Sequence, residues 1–296
     1  MYEDKLIAVL TPTYNRAHTL PKLYESLCEQ TSGNFVWVVV DDGSDDNTGE
    51  YIKKIIDDGN IPIIYYHKEN AGKHTALNYG IERTDNELTF IVDSDDYLIP
   101  EAVETIGENW KQFRANKRIA GISFLKGYTR EEQVGDKFSE ECVCSYIEMR
   151  LKRKVGGDKA EVFRTELLKE RKFPEIKGEK FIGEDYVWCD IGKYYDMVWK
   201  NDIIYICEYL EDGLTKSGRA MRIKCPVGGM LNSAMMLTKE FPVYFRIKKA
   251  ILYNCYYYFS DGKQRKAGKT EKGKIIRFIT APAGYLLYRY WKKKYL

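Results

Sequence analysis

The chain has 296 residues, 44% of them hydrophobic and 31% charged, with a formal net charge of +3. That is enough for one large domain, or a domain plus an appendage, with a real core and a soluble surface. Seven cysteines without a Cys-x-x-Cys pair, and only three histidines, argue against a zinc site and for free thiols in a reducing compartment.

The first half alternates strand and helix signals. Residues 6–10 are apolar and end in Thr11-Pro12-Thr13. Residues 20–30 have helical spacing through Leu20, Leu23, Tyr24 and Leu27. Residues 35–40 are a continuous apolar run ending in Asp41-Asp42-Gly43-Ser44, and residues 48–56 are helical again. Residues 61–66 read as a strand, 75–82 as a helix and 88–92 as a strand. Unbroken apolar strands joined by helices predict a parallel sheet buried on both faces. Right-handed crossovers then place ligands at the carboxyl ends of the strands. Residues 11–16, 41–44 and 93–96 share that edge.

The middle is less regular. A helix is expected over 100–113, a strand over 119–124, a charged loop over 126–140 and a strand over 159–163 followed by a helix. Residues 181–195 begin as a loop and become helical, and residues 198–207 contain a strand. After about Arg219 the pattern turns to helices, which predicts a first domain over 1–219 and a helical extension over 220–296. The start, Met1-Tyr2-Glu3-Asp4-Lys5, has no signal-peptide pattern, so a cytoplasmic location is expected.

Residues 88–96 form a short apolar run that ends abruptly in Asp93, Asp95 and Asp96. Crowded carboxylates repel unless a cation joins them. Mg²⁺ or Mn²⁺ takes one or two carboxylates and completes its shell with water and substrate phosphates, so this stretch suggests a metal–diphosphate site. The alternative is a turn in which Asp95 or Asp96 helps cap the helix near Pro100.

The polar strand ends come in a recognisable order. Thr11-Pro12-Thr13-Tyr14-Asn15-Arg16 follows the first strand, and Asp41-Asp42-Gly43-Ser44 the second. Asn70-Ala71-Gly72-Lys73-His74 follows the third, Asp93-Ser94-Asp95-Asp96 the fourth, and Gly183-Glu184-Asp185 comes later. Over residues 5–215 this set closely resembles the family 2 inverting glycosyltransferases with a GT-A fold, of the bacterial capsule, exopolysaccharide or cell-wall glycan type. The resemblance implies a Rossmann-like, mostly parallel α/β sheet flanked by helices, and sugar transfer from a nucleotide-diphosphate donor, a UDP-sugar. Its acceptor would be a hydroxyl of a glycan or lipid-linked glycan.

The resemblance assigns roles by position. Tyr14 would stack on the base, with Thr11 and Thr13 as polar contacts and Arg16 and Ser94 in the same nucleotide-binding set. Asp42 matches the base-reading aspartate, and Asp41 serves the backbone or ribose. Gly72 and Lys73 would face the diphosphate, and Asn78 would reach the donor. His74 packs, caps or binds. Asp93 would touch ribose or sugar and Asp95 the metal, while Asp96 binds metal through water or orients Asp95. Asp185 would deprotonate the acceptor hydroxyl, with Glu184 orienting substrate or base. Asp158 and Lys159 are acceptor-binding candidates or a surface turn. Residues 212–215 with Lys216 and Arg219 lie where such enzymes carry a flap over the donor.

The last 36 residues carry eleven Lys/Arg and two Asp/Glu, a net of +9 that leaves −6 for the first 260. This localised charge is not a nucleic-acid pattern; an anionic membrane surface is the expected partner. Residues 275–291 are mostly apolar and aromatic, but too short and too broken by Arg277, Pro282 and Arg289 to span a bilayer. Tyr285, Tyr288, Tyr290 and Trp291 beside Lys292, Lys293 and Lys294 suit the inner membrane face; the alternative is packing back on the domain. A sugar nucleotidyltransferase would carry a glycine-rich loop, and residues 11–16 contain no glycine. Intact Asp42, Asp93, Asp95 and Asp185 argue against a non-catalytic glycan-binding scaffold.

Overall fold

The computed structural model describes Tyr2, residues 4–208 and residues 214–296, without the side chains of 214–217, 263 and 264. Strands β1 (Ile7–Thr13), β2 (Phe35–Asp41), β3 (Ile63–His67) and β4 (Leu88–Ile91) are mutually parallel, β1 lying between β2 and β4. Helices α1 (Leu20–Cys28), α2 (Thr48–Asp58) and α3 (Lys73–Glu82) connect them. Every residue of β1 and β2 is buried, which explains their unbroken apolar runs. Ala8, Leu10, Val36 and Val38 pack on one face against Ala76, Leu77 and Ile81 of α3. Ile7, Val9, Phe35 and Trp37 pack on the other against α1 and α2.

The chain continues through β5 (Tyr97–Leu98), α4 (Ala102–Phe113), β6 (Ile119–Gly127), β7 (Cys142–Ser145) and a π-helical turn at Glu148–Lys152. Then come β8 (Lys159–Arg164), α5 (Thr165–Glu170), α6 (Asp185–Ile191) and β9 (Asp196–Ile206). The sheet runs β3-β2-β1-β4-β8-β6-β9-β5, with β7 also on β9. The α/β class and flanking helices hold, and the parallel reading holds for the first four strands. Beyond them β8 runs antiparallel to both β4 and β6, β6 and β9 are parallel, and β5 and β7 are antiparallel to β9.

The C-terminal helices are α7 (Leu214–Lys224), α8 (Pro226–Met235), α9 (Val243–Phe259), α10 (Gly262–Ala267) and α11 (Lys274–Tyr295). They have their own apolar cluster around Met230, Tyr253, Tyr256 and Trp291. Helix α11 packs on α9: a Cβ on Gly284 would lie 2.4 Å from that of Asn254, and the Asn254 amide donates to the Arg277 carbonyl at 2.8 Å. Its other side leaves Ile275, Phe278, Ile279 and Leu286 largely exposed. Among the described residues no helix is long and apolar enough to cross a membrane.

Candidate active site

A cleft of about 450 Å³ opens over the carboxyl ends of β1, β2 and β4. A wider groove of about 770 Å³ lies at the opposite ends of these strands, around Lys5, Asn34 and Glu87, away from the acidic motifs.

The first wall of the cleft follows β1. Thr13, Tyr14 and Arg16 line it, and Tyr14 is 44% exposed at its edge. Asn15 holds this loop with φ 53°, in the left-handed region that asparagine tolerates. Its backbone N–H donates to Ser44 Oγ and its side-chain oxygen accepts from the Asp45 N–H, both at 2.8 Å. Thr11 does not join the cleft. It is fully buried one turn of pleat earlier, and its hydroxyl accepts the Trp37 indole N–H at 3.0 Å.

The second wall follows β2. Asp41 accepts the Ser44 N–H and the Tyr65 hydroxyl, both at 2.8 Å, so it fixes the turn. Asp42 borders the cleft, but its oxygens accept Lys68 Nζ at 2.6 Å and the N–H groups of Ala71 and Gly72 at 3.0 and 2.6 Å. It thereby fastens the loop that starts α3. Gly72 has φ 103°, and a Cβ there would lie 2.2 Å from the Lys180 carbonyl, so only glycine fits.

Lys73 projects into the cleft and bridges two carboxylates, Asp93 at 2.5 Å and Glu184 at 2.8 Å. Burial opposes its charge, but these partners outweigh it and hold the ammonium above the usual lysine range. His74 is buried away from the cleft with neither ring nitrogen hydrogen-bonded, and burial lowers its pKa, so it packs as a neutral ring. Asn78 also turns away from the cleft. Its amide donates to the Phe173 carbonyl and Glu175 Oε1, and its oxygen accepts the Phe173 N–H, tying the 173–175 loop to α3.

The acidic motif follows β4. Burial opposes ionisation of Asp93, but Lys73 and Lys126 prevail and lower its pKa. Asp95 lies 3.9 Å from Arg16 Nη2, and burial together with Asp93 raises its pKa. Ser94 lines the cleft beside them. Asp96 is committed elsewhere: its oxygens accept the Tyr205 hydroxyl at 2.6 Å and the Glu208 N–H at 2.9 Å. Burial and Asp93 push it up to about 7. Tyr205 in turn accepts the Asp93 N–H at 3.0 Å, so β9 braces the motif. Among the described residues no three His, Cys, Asp or Glu side chains converge as a metal cage.

Two groups here escaped the sequence reading. Lys126 lines the cleft at the end of β6, 3.8 Å from the Tyr205 ring, and Asp93 and its acidic neighbours overcome burial to raise its pKa. A lone lysine at the end of an apolar strand is the signal that marks it. Tyr205 has no such signal. Of the remaining candidates, Asp158 lines the cleft. Lys159 is buried outside it and donates to the Gly156 carbonyl at 2.8 Å; burial and Arg150 push it down to about 8.

Glu184 and Asp185 open α6 but face different ways. Glu184 meets Lys73, whereas Asp185 lies in a separate cavity of about 90 Å³ behind Phe181. Asp185 accepts the Asn232 amide at 2.8 Å and lies 3.4 Å from Lys249 Nζ. Burial opposes its ionisation, but Lys249, Asn232 and Arg222 hold its carboxyl below the usual range. Residues 212 and 213, and the side chains of Leu214, Thr215 and Lys216, lie outside the described residues. Arg219 sits 4.4 Å from the Trp291 ring and lines the Asp185 cavity rather than the larger cleft.

Residues 8–148 match the family described as glycosyl transferase family 2. The glycosyltransferase GlyG of Streptococcus pneumoniae serotype 4 (strain ATCC BAA-334 / TIGR4) is 27% identical over 233 residues, 74% of each chain. Of several longer curated glycosyltransferases this chain spans only 14% to 16% of the length. The crystal structure of S. aureus TarS 1-349 in complex with UDP-GlcNAc superposes with a TM-score of 0.62 at 18% identity, covering 93% of this chain and 79% of that one. The mannosyltransferase PcManGT from Pyrobaculum calidifontis, in complex with GDP-Man and Mn²⁺, gives a TM-score of 0.58 at 18% identity, covering 97% and 83%. The chain is therefore similar over residues 8–148 to glycosyl transferase family 2, and its fold is the GT-A fold.

Proposed function

We propose that the protein moves a sugar from a UDP-sugar to a hydroxyl of a glycan or lipid-linked glycan acceptor, with inversion, in the building of a bacterial envelope polysaccharide. The observation that carries this reading is the meeting of Tyr14, Arg16, Lys73, Lys126, Asp93 and Asp95 in one cleft at the carboxyl ends of parallel strands. An aromatic face for a base, cations for phosphates and a carboxylate pair are the parts a nucleotide-diphosphate sugar needs. The UDP-GlcNAc complex of TarS supports a uridine donor.

Mg²⁺ or Mn²⁺ fits the residues present. Asp95, its carboxyl raised in pKa by burial and Asp93, offers hard oxygen donors, and such ions ask for only one or two protein carboxylates. The mannosyltransferase complex with Mn²⁺ supports this reading. When bound, the ion would neutralise charge on the leaving diphosphate. Lys73 holds Asp93 and Glu184 in place, and Arg16 and Lys126 add positive potential around the phosphates.

Asp185 is the proposed general base. Lys249 and Asn232 keep it ionised, ready to take the acceptor hydroxyl proton as that oxygen attacks the anomeric carbon opposite the diphosphate. Residues 1–219 would form the catalytic unit and 220–296 a helical extension. The exposed apolar side of α11, flanked by Lys292, Lys293 and Lys294, would rest on the anionic inner face of the membrane.

A donor-hydrolysis screen tests the reading. Release of UDP from at least one UDP-sugar, abolished by chelator, is expected. No nucleoside diphosphate release from any donor, with or without acceptor extracts, refutes it.

A further inference from the structure

We propose that the cavity behind Phe181 is a phosphate subsite, so that the acceptor is a phosphate-bearing glycan rather than a neutral one. The proposal rests on the reading of Asp185 as the acceptor's base. The cavity of about 90 Å³ is walled by α6, α7, α8 and α9. Three cations line it, Arg219, Arg222 and Lys249, against one carboxylate, Asp185. That carboxylate is already engaged by Asn232 and Lys249.

Neither guanidinium group is in a salt bridge among the described residues, although Arg222 also supports the charge of Asp185 from a distance. Arg219 lies over the Trp291 ring and Arg222 is 5.6 Å from the Phe181 ring, and neither has a carboxylate within salt-bridge distance among the described residues. Stacking positions a guanidinium without cancelling its charge and leaves its in-plane N–H groups open. Paired guanidinium groups suit the oxygens of a phosphate ester. Glycine keeps the wall thin: a Cβ on Gly183 would lie 2.5 Å from Asp185 Oδ1, and one on Gly229 2.6 Å from the Tyr256 ring. The nearest buried acid behind the wall, Glu179, is spent on the Val227 and Gly228 N–H groups at 2.8 and 2.7 Å.

This positive charge is surplus to the donor. The larger cleft has its own cations, Lys73 and Lys126, and Phe181 borders both spaces. An anion beside Arg222 would place the rest of the acceptor next to Asp185. The shared chemistry is a phosphate ester, whether from a lipid carrier's diphosphate or from a polymer of phosphodiesters.

The test titrates the full chain, saturated with UDP, with geranyl diphosphate, a short glycerol-phosphate oligomer and lactose, followed by calorimetry at low salt. At least one phosphate probe should bind and lactose should not. Arg222→Gln should weaken that binding about tenfold or more, the worth of a charged hydrogen bond. Lys224→Gln, exposed on the same helix outside the cavity, should leave it unchanged. A preference for geranyl diphosphate assigns a lipid carrier; a preference for the oligomer assigns a phosphate polymer. Absence of phosphate binding, or equal binding by wild type and Arg222→Gln, overturns the proposal. UDP affinity is measured in the same samples: if UDP fails to bind, the donor reading falls by itself, and the Arg222→Gln comparison is then made on the free protein.

Discussion

Replacing Asp185 with Asn is expected to remove most sugar transfer while leaving donor binding intact. The side chain lies in the cavity behind Phe181, not in the larger cleft, so nucleotide affinity should not sense the change. An amide cannot accept the acceptor's proton, and loss of a general base costs about 10²- to 10⁴-fold. At about 1.4 kcal/mol per decade this is about 3 to 6 kcal/mol of activation free energy. The competing explanation is unfolding. Asn keeps an acceptor for the Asn232 amide and loses the charge facing Lys249 and Arg222. Asp185 is 45% exposed but Lys249 only 10%, so losing the pair costs more than the about 0–1 kcal/mol of a surface ion pair, and the melting curve must separate this from the kinetic effect. Because the folded pKa is depressed, this stabilisation is present above the unfolded pKa and lost as pH falls through the folded one. Any acid limb from Asp185 in the rate profile should accordingly lie below the usual carboxylate range. The assay pairs single-turnover transfer with UDP calorimetry and thermal melting. A variant that transfers at near-normal rate, or that loses UDP binding in parallel, refutes the assignment.

Asp95→Ala should weaken UDP binding in Mn²⁺ or Mg²⁺ strongly and make it indifferent to chelator; unchanged affinity with and without chelator in the wild type would rule out the metal role. Glu161, pushed up to about 7 by burial despite Arg150 and Lys126, binds a proton more tightly folded than unfolded. Its contribution to stability therefore declines as pH rises from about 4.5 to about 7, and Glu161→Gln should flatten that part of a melting-temperature profile; an identical slope in both proteins would contradict it. Phe278→Glu with Ile279→Glu, on the exposed side of α11, should abolish flotation with anionic liposomes and leave UDP affinity unaltered. Equal flotation of variant and wild type would dismiss the membrane contact.

Local pattern carried the strand ends well. Tyr14, Gly72, Lys73, Asp93 and Asp95 line the cleft because each sits just past a strand or at a helix start, where a buried parallel sheet must open. Thr11 and Asn78 were misjudged because their partners, Trp37 and Phe173, are 26 and 95 residues away. A buried polar side chain looks the same in sequence whether it meets substrate or satisfies a distant backbone. Tyr205 and Asp96 are 109 residues apart and meet only through the pairing of β9 with β5. The antiparallel half of the sheet was hidden for a related reason: β8 is buried although Lys159, Glu161 and Arg164 make up half of it, and its direction depends on the loops around it. Strand β7 is short, half-buried and preceded by charge, so it offered little periodicity. The support of Asp185 by Asn232 and Lys249 comes from helices that sequence alone separated from the catalytic half.

Phe181 borders both the large cleft and the Asp185 cavity. It thus forms part of the wall between two compartments, so a substitution at this one position would be felt on both sides. Arg222 leans toward that ring from the smaller compartment.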